Sequence, residues 1–477
     1  MQLTNFRQLA LRSVVLLSMG LTVGACDKVV NVDPSNSISS DKGFVTKEDA
    51  AAGLLGAYDA VQATDYYGLA YPSMAGLIAG EIRHVGTFTT TYGVIGQNQV
   101  LPDNIQVGNT WNIIYNAINR ANYVLQQTEK ITDPAFSNKT ATLAEARALR
   151  AFHYMNLLAL WGGTSDGYGY PGGLGVPLRL TPTTNIGDDA QAIPRSSEAD
   201  VATAIRNDLE FAITNLPTGV GARVTKNSAL ALRARFELRM RNYAAALTFA
   251  QQVVATPNFT GLAAELTGTN APDAIWQLFA SNTDQSQYAF YWYPSPGGRN
   301  EFDPGSSVAG AHPTGDKRLP INVVPATTNV VVAGQTYQLR TGTTQKFYRT
   351  STRDDAFNLV RYAEAVLIVA EAAAQTGDLT LATTKLNDIR SRAGLAPTTA
   401  TTAAALITDI LLQRRLELTY EGHYWFDLRR TNRVQTVLGS ANPATPNAYN
   451  QSFRNLFPIP NREVTLTNGL VAQNPGY

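Results

Sequence analysis

The chain contains one cysteine and four histidines among its 477 residues, and this scarcity excludes several kinds of chemistry. A single cysteine cannot form an intrachain disulfide, and it cannot build a cysteine-ligated zinc site or an iron–sulfur site. None of the histidines has a metal-ligand spacing such as HExxH. His153 lies inside an apolar helical segment and is expected to be a core residue. The sequence therefore predicts no metal site, no cofactor and no thiol catalysis.

Charge is scarce as well. Charged residues make up 16% of the chain, and the formal net charge is +1. So small a net charge gives no electrostatic basis for binding nucleic acid or an anionic membrane surface. The chain also lacks a P-loop and a GxGxxG motif followed by a helix. We therefore expect a binding protein rather than an enzyme, with no catalytic residues.

Three carboxylates near the C-terminus, Glu417, Glu421 and Asp427, resemble the acid pair of a glycosidase. They are interleaved with basic residues in the segment RRLELTYEGHYWFDLRR, however. We therefore expect these carboxylates to form structural ion pairs and helix caps with the neighbouring arginines, which are Arg414, Arg415, Arg429 and Arg430.

Long apolar runs are absent, since a transmembrane helix needs about 20 consecutive apolar residues. The N-terminus instead carries Arg7 and Arg12, a short apolar stretch at 13–22, and the small residues Val23-Gly24-Ala25 before Cys26. This order is typical of a signal peptide, and a cysteine at the cleavage point indicates a bacterial lipoprotein. We predict a signal peptide over 1–25, lipid attachment at Cys26 and a tether over 26–44. The lipid is then the only contact with the membrane.

Helical patterns dominate the rest of the chain, and two pairs of helices share one layout. Segments 227–240 and 243–255 are joined by Arg241-Asn242, and segments 359–375 and 379–393 are joined by Gly377-Asp378. Alanines recur at close spacing in both pairs, which lets antiparallel helices approach closely. This repetition predicts hairpins similar to tetratricopeptide repeats (TPR). Further helices are predicted at 46–62, 111–130, 143–161 and 197–216.

Two regions lack helical periodicity. Residues 65–109 are rich in Gly, Thr, Tyr and Asn, and we interpret them as an extended loop region. Residues 256–358 hold an aromatic cluster at 288–293 and the alternating run NVVVAGQTYQLRTG, which predicts a β-hairpin with Ala333-Gly334 at its turn. We predict a mainly α fold with three parts after the tether. These are an N-terminal helical region over 45–255, a loop-rich and partly β insertion over 256–358, and a C-terminal helical region over 359–477.

An ordered set of motifs then resembles a known family. The set includes EDAAAGLLGAY, WNIIYNAINRANYVL, LAEARALRAFHYMNLLALWGG, VRYAEAVLIVAEAAAQTGD, RRLELTYEGHYWFDLRR and LFPIPNREVTLTNGLVAQNPGY. From end to end the chain resembles the SusD/RagB family of outer-membrane nutrient-binding lipoproteins. The resemblance implies a TPR-like α–α superhelix with inserted ligand loops. It also implies a partner, a SusC-like TonB-dependent transporter, over which the lipoprotein acts as a lid.

Candidate ligand residues lie in the two regions without helical periodicity. Flat aromatic faces suit the apolar side of a sugar ring, and Asn, Gln, Arg and Asp suit its hydroxyls. In the resembled family both equivalent regions tend to contribute to the ligand face. Trp292 is the leading candidate, and the others are Tyr291, Tyr293, Tyr66, Tyr67, Arg83, Tyr92, Asn98 and Arg299.

The expected function is that of an outer-membrane lipoprotein of a Gram-negative bacterium, facing the cell exterior, that binds glycans and passes them to the transporter. Two alternatives stay open at this point. One is an oligopeptide-binding member of the same family, because an aromatic cleft serves either cargo. The other is a TPR-like interaction scaffold that binds no small ligand.

Overall fold

The computed structural model describes residues 44–184, 187, 190–255, 259, 262, 271–439 and 449–477. The predicted signal peptide, Cys26 and nearly all of the tether lie outside these residues. In chain order the α-helices are α1 (Lys47–Gln62), α2 (Ala70–Ile78), α3 (Val94–Gly96), α4 (Ile105–Lys130), α5 (Lys139–Trp161), α6 (Glu198–Asn215), α7 (Lys226–Arg239), α8 (Tyr243–Val253), α9 (Tyr288–Trp292), α10 (Ser306–Ala311), α11 (Leu319–Asn322), α12 (Tyr362–Thr376), α13 (Leu379–Arg392), α14 (Ala403–Glu417), α15 (Tyr424–Arg430), α16 (Val434–Leu438) and α17 (Asn461–Leu466).

Six short strands accompany the helices, and they form three separate antiparallel pairs. The strands are β1 (Ile82–His84), β2 (Ala274–Leu278), β3 (Phe302–Pro304), β4 (Thr328–Val332), β5 (Gln335–Leu339) and β6 (Phe357–Arg361). Strand β1 pairs with β3, β2 with β6, and β4 with β5. The described residues also include a π-helical turn over Thr89–Gly93 and a 3-10 turn over Ser452–Asn455.

The long helices pack in sequence as a superhelix. Each of α4 to α8 contacts its neighbour along the chain, α8 then packs on α12, and α12 packs on both α13 and α14. The mainly α fold with TPR-like hairpins is therefore confirmed. The two predicted hairpins are α7–α8 and α12–α13, and small residues such as Ala234, Ala246 and Ala372 share one buried cluster between them.

Local chemistry sets the turns of these hairpins. Gly377 ends α12 with φ at +94°, a left-handed conformation that glycine adopts without a steric penalty. Asp378 then caps α13 by accepting a hydrogen bond from the amide of Leu381. The predicted β4–β5 hairpin is also confirmed. Its two turn residues, Ala333 and Gly334, have φ values of +51° and +78°, as a type I′ turn requires.

The interpretation of residues 65–109 as an extended loop was wrong. The segment contains α2, β1, the π-helical turn, α3 and the first turn of α4. All nine residues of α2 are buried, so the helix has no polar face. A helix surrounded by protein shows no amphipathic period, which is why the sequence pattern did not reveal it.

The aromatic cluster at 288–293 forms the short helix α9 rather than an extended segment. Tyr288, Ala289, Trp292 and Tyr293 are buried, and Phe290 and Tyr291 are half-buried. The buried positions follow a helical spacing, so the neighbouring rings of Phe290 and Tyr291 both lie on the more exposed side of the helix. This placement determines which of the aromatic residues a ligand can reach.

Candidate ligand-binding site

The β1–β3 pair brings together the two regions that the sequence analysis singled out. Arg83 lies directly opposite Asp303 in the register, and its guanidinium donates a 2.8 Å hydrogen bond to the Asp303 carboxylate. These two residues are 220 positions apart in the sequence. The pair therefore joins the segment after α2 to the segment after α9, and it creates one continuous surface from the two.

Glu301 organises the loop beside this pair. Its carboxylate accepts hydrogen bonds from the amides of Thr87 and Phe88, at 2.9 and 3.2 Å, and from the guanidinium of Arg299 at 2.9 Å. Nε2 of His84 lies 3.2 Å from the same carboxylate. A Cβ at Gly86 would stand 2.1 Å from the Glu301 carboxylate, so only glycine allows this approach.

The ionisation of Glu301 follows from these partners. Burial raises its pKa, but the hydrogen bonds from Phe88 and Thr87 and the charge of Arg299 together lower the pKa below its usual value. The carboxylate is therefore ionised at neutral pH. Its charge fixes the Arg299 guanidinium, which also donates a 3.0 Å hydrogen bond to the Thr87 hydroxyl.

Two partly exposed aromatic rings lie beneath this guanidinium. The rings of Phe88 and Tyr291 are nearly parallel, with an interplanar angle of 19° and centroids 6.2 Å apart. The guanidinium carbon of Arg299 lies 4.1 Å from the centre of the Phe88 ring. Phe88 and Tyr291 are half-buried, and Arg299 is exposed. We call Phe88, Tyr291 and Arg299 the aromatic platform.

A cavity of about 290 Å³ adjoins the β1–β3 pair. Its polar lining includes Arg83, His84 and Gln97, and its walls include the glycines at 80, 93, 96 and 305. The volume is close to the lower limit of the range typical of small-ligand sites. We call this space the ladder cavity. Together with the aromatic platform, it is the candidate site.

The prediction that Trp292 lies on the ligand face was wrong for this structure. Its side chain is 0% exposed, and its ring packs against Tyr420, with centroids 4.8 Å apart, and against Phe302. Tyr293 is likewise buried, and its hydroxyl donates to the carbonyl of Thr344 at 2.8 Å. Both residues belong to the hydrophobic core beneath the platform.

Tyr66 and Tyr67 are also core residues. The Tyr66 hydroxyl lies 3.1 Å from Nδ1 of His153 and accepts a 2.7 Å hydrogen bond from the side-chain amide nitrogen of Asn156, and the Tyr67 hydroxyl donates to the side-chain Oδ1 of Asn156 at 3.2 Å. Burial raises the pKa of Tyr67 to about 12 and lowers that of His153 to about 3. His153 therefore lies in the core, as predicted. The two tyrosines were wrongly placed on the ligand face, because their hydroxyls are held inside the protein.

Tyr92 and Asn98 are buried as well, at 3% and 1% exposure. The Tyr92 ring meets the Phe302 ring edge to face at 5.1 Å, and Asn98 adopts a left-handed conformation with φ at +53°. The prediction that Tyr92 and Asn98 lie on the ligand face was therefore wrong. Arg83, Tyr291 and Arg299 remain accessible, and contact of these three with a ligand stays a prediction.

Sequence reasoning missed Phe88, which supplies half of the aromatic platform, and Glu301, which fixes it. Phe88 is flanked by threonines in the segment GTFTTTYG, four residues from the next aromatic residue, so a search for dense aromatic clusters passes over it. A dense cluster such as 288–293 is instead dominated by core residues. Helical spacing within that cluster was the available signal, since it would have separated Tyr291 from Trp292.

The C-terminal carboxylates form structural ion pairs, as predicted. The buried guanidinium of Arg361 contacts Glu417, Glu421 and Asp273, each at 3.0 Å. Asp427 in turn lies between two arginines, Arg414 at 3.0 Å and Arg430 at 2.8 Å.

Two of the four neighbouring arginines contact other groups. Arg429 donates to backbone carbonyls, including that of Ala159 at 2.7 Å, and Arg415 donates to the Ser307 hydroxyl at 2.7 Å. These arginines were expected to pair with the three carboxylates, and that part of the prediction was wrong.

Sequence models of known families match two parts of this chain. The model described as the SusD family matches residues 326–477, and one described as starch-binding, associating with outer membrane matches residues 37–238. A curated SusD-like protein P38 of Formosa agariphila is 28% identical over 92% of this chain and 95% of its own length. The chain is a member of the SusD/RagB family. A second relative from that organism, SusD-like protein P2, is 24% identical over 97% of this chain and 98% of its own length.

Solved structures agree with this SusD/RagB protein in fold. A SusD superfamily protein from Bacteroides vulgatus superposes with a TM-score of 0.76, at 20% identity, over 91% of this chain and 100% of that one. A laminarin-binding SusD-like protein gives a TM-score of 0.72 at 20% identity, covering 91% of this chain and 100% of that one. Surface glycan-binding protein A from Bacteroides uniformis gives 0.72 at 21% identity, covering 90% and 99%.

Membrane and metal features were sought within the described ranges only. No helix in those ranges is both long and apolar enough to cross a membrane. In the same ranges, no group of three or more His, Cys, Asp or Glu side chains is arranged to hold a metal ion.

Proposed function

We propose that this SusD/RagB protein binds glycans at the aromatic platform and the ladder cavity. The observation that carries the proposal is the pair of nearly parallel, half-buried rings of Phe88 and Tyr291, with the Arg299 guanidinium over them. Aromatic faces stack on the apolar side of a sugar, and guanidinium and hydroxyl groups bond its oxygens. Arg83, at 59% side-chain exposure, and Gln97 extend this polar rim into the cavity.

The family relationship supports a carbohydrate ligand. One matching model is described as starch-binding, and of two proteins of the same fold one is named laminarin-binding and the other a surface glycan-binding protein. We propose a binding role without catalysis, because the C-terminal carboxylates are buried in ion pairs with arginines and are not presented to a ligand.

The cellular setting is part of the proposal. Cys26 would carry the lipid that anchors the chain to the outer membrane, facing the cell exterior. A SusC-like TonB-dependent transporter would receive the glycan. The superhelix regions 45–255 and 359–477 would act as the scaffold, and the insertion 256–358 would supply one side of the site.

Calorimetric titration of the chain expressed from Lys28 with starch and laminarin oligosaccharides tests the glycan proposal. We expect saturable binding that Tyr291→Ala and Phe88→Ala each weaken by about tenfold or more, the range of an aromatic contact. Tyr170→Ala is the matched control, because Tyr170 is also half-buried beneath a guanidinium, that of Arg241 at 3.6 Å, and lies outside the site. Binding of peptides but no glycan would reject the proposal in favour of an oligopeptide carrier.

A further inference from the structure

A second and larger concavity lies on the C-terminal part of the superhelix. Its volume is about 890 Å³, three times that of the ladder cavity. Its lining comes from the segment 398–402 and from α14, α15 and α16. Six threonines line it, and we call it the threonine groove. They are Thr398, Thr399, Thr401, Thr402, Thr408 and Thr431.

The carboxylates of the groove are already neutralised by the protein. Asp409 accepts hydrogen bonds from the Arg390 guanidinium at 2.9 and 3.0 Å and from the Thr398 hydroxyl at 2.6 Å. Asp427 accepts from Arg414 and Arg430, at 3.0 and 2.8 Å. The groove therefore offers little free negative charge.

Two guanidiniums in the lining remain without a carboxylate partner. Within the described part of the chain, neither Arg415 nor Arg433 lies within 4.0 Å of a carboxylate oxygen. Arg415 donates one hydrogen bond to the Ser307 hydroxyl and lies 4.7 Å from the centre of the Tyr424 ring. The free positive charge of the groove is thus concentrated around Tyr424.

The hydroxyl lining adds a second feature. Thr399 and Thr401 are exposed, and their hydroxyls make no hydrogen bond to another described residue. Hydroxyls both donate and accept, so they match a ligand that is itself rich in hydroxyls. A guanidinium pairs with carboxylate or sulfate oxygens through two parallel charge-assisted hydrogen bonds, which are stronger than its hydrogen bonds to the uncharged hydroxyls of a neutral sugar.

We propose that the threonine groove binds an acidic oligosaccharide, whose carboxylate or sulfate groups pair with Arg415 and Arg433. The hydroxyls of Thr399 and Thr401 bond the sugar hydroxyls, and the Tyr424 ring packs against a sugar face. The volume lies near the upper end of the range for ligand sites and accommodates several sugar units. This site is additional to the aromatic platform and the ladder cavity.

The groove adjoins the ladder cavity. Ser307 lines the cavity and accepts the hydrogen bond from Arg415, and the consecutive residues Val437 and Leu438 line the groove and the cavity respectively. One glycan chain can therefore lie along both surfaces, with its acidic units at the groove.

Calorimetric titration with three probes tests the proposal. Hexagalacturonate carries carboxylates, a sulfated carrageenan oligosaccharide carries sulfates, and fully methyl-esterified hexagalacturonate is the uncharged counterpart of the first. We expect at least one acidic probe to bind, and added sodium chloride to weaken that binding because salt screens exposed charges. Arg433→Gln and Arg415→Gln should each weaken it by about tenfold or more, as loss of a charge-assisted bond does. The esterified probe should not depend on either arginine.

Control variants separate this proposal from the glycan site described above. Arg462→Gln removes an exposed arginine outside the groove and should leave binding of the acidic probe unchanged. Tyr291→Ala should weaken neutral glycans while retaining the arginine-dependent binding. Thermal unfolding of each variant establishes that its fold is intact.

Three results would overturn the acidic-ligand proposal. The first is that neither acidic probe binds, and the second is that binding is indifferent to both arginine variants. The third is that hexaglutamate binds as tightly as the acidic sugars with the same arginine dependence, since that marks a surface selective for charge alone. Binding of an acidic probe that Tyr291→Ala abolishes and Arg433→Gln does not would reject the groove and leave the platform proposal standing.

Discussion

The ring of Trp292 packs against the ring of Tyr420, with centroids 4.8 Å apart and an interplanar angle of 54°. Tyr420 follows α14, and its hydroxyl donates to the carbonyl of Asn322 at 3.0 Å. The contact therefore ties the inserted segment that carries Tyr291 to the C-terminal helices. It gives the platform a rigid base, because both rings are almost completely buried.

The first prediction concerns this base. Trp292→Ala should lower the free energy of unfolding by about 3–5 kcal/mol, because it empties a large buried volume. Tyr291→Ala, one residue earlier and half-buried, should lower it by about 1 kcal/mol, nearer the average of single substitutions. Urea denaturation measures both values. A Trp292→Ala protein of nearly normal stability that has lost glycan binding would contradict the core assignment and return Trp292 to the ligand face.

The second prediction concerns Glu301. Glu301→Ala should weaken glycan binding, because it releases the Arg299 guanidinium and the amides of Thr87 and Phe88 together. Glu301→Gln keeps the shape but not the charge and should have a smaller effect. Calorimetric titration with a glycan that the wild-type protein binds compares the affinities of the wild type and the two variants. Equal affinity for all three proteins would show that Glu301 does not organise the platform.

The same residue predicts an acid dependence. Because the pKa of Glu301 is lowered in the folded chain, its contribution to stability is present above its ordinary value of 4.5 and is lost as the pH falls through the folded value. The melting temperature of the normal protein should therefore decrease more steeply below about pH 4.5 than that of Glu301→Gln. Parallel melting curves in acid would contradict the assignment.

The third prediction concerns Glu81, a buried residue in the short connection between α2 and β1. Burial raises the pKa of Glu81 to about 8 from 4.5, although the charges of Arg415 and Lys346 oppose the shift. Between these two pH values the folded chain keeps a proton that the unfolded chain has lost, so stability decreases as the pH rises through this window. Glu81→Gln should remove this decrease and melt at a higher temperature than the normal protein above pH 8.

Thermal melting between pH 5 and pH 9 measures this difference. Glu48→Gln is the control, because Glu48 is 72% exposed at the start of α1 and its removal should not change the slope. If the melting temperature of Glu81→Gln changes with pH in parallel with that of the wild-type protein, Glu81 is ionised in the folded protein.

The fourth prediction concerns the buried ion pairs. Glu421 accepts hydrogen bonds from Lys346 at 2.6 Å and from Arg361 at 3.0 Å, and Glu421→Gln leaves those two cations undercompensated. We expect a loss of about 3–5 kcal/mol, as when one partner of a buried pair is removed. The exposed pair of Asp59 and Arg120 is the control, and Asp59→Asn should change stability by less than about 1 kcal/mol. Similar losses for the two variants in urea denaturation would contradict a structural role for the buried network.

The sequence predicted those parts of the fold that have a local chemical signature. The α12–α13 hairpin is an example, because Gly377 ends one helix, Asp378 caps the next, and alanines mark the close contact. The β4–β5 hairpin is another, since alternation and the Ala333-Gly334 turn are both local. Helix α2 has no such signature, since its burial on every side depends on packing partners far away in the chain.

The candidate site was less predictable for the same reason. Composition pointed to the two regions that the β1–β3 pair joins, and Arg83, Tyr291 and Arg299 lie on the accessible surface that they form. The buried and exposed aromatics could not be separated by composition, because both types occur within one short cluster. The position of Phe88 depends on Glu301, a residue 213 positions away whose carboxylate accepts a hydrogen bond from the Phe88 amide.

The β1–β3 pair has a consequence for how such a site can change over generations. Phe88 comes from the chain before α4 and Tyr291 and Arg299 from the segment around β3, and three residues of each strand hold the two parts in register. Each part can therefore acquire substitutions of its own while the superhelix stays intact. New ligand preferences can arise by substitutions in these two short segments on one inherited framework, as long as the contact between Gly86 and Glu301 is kept.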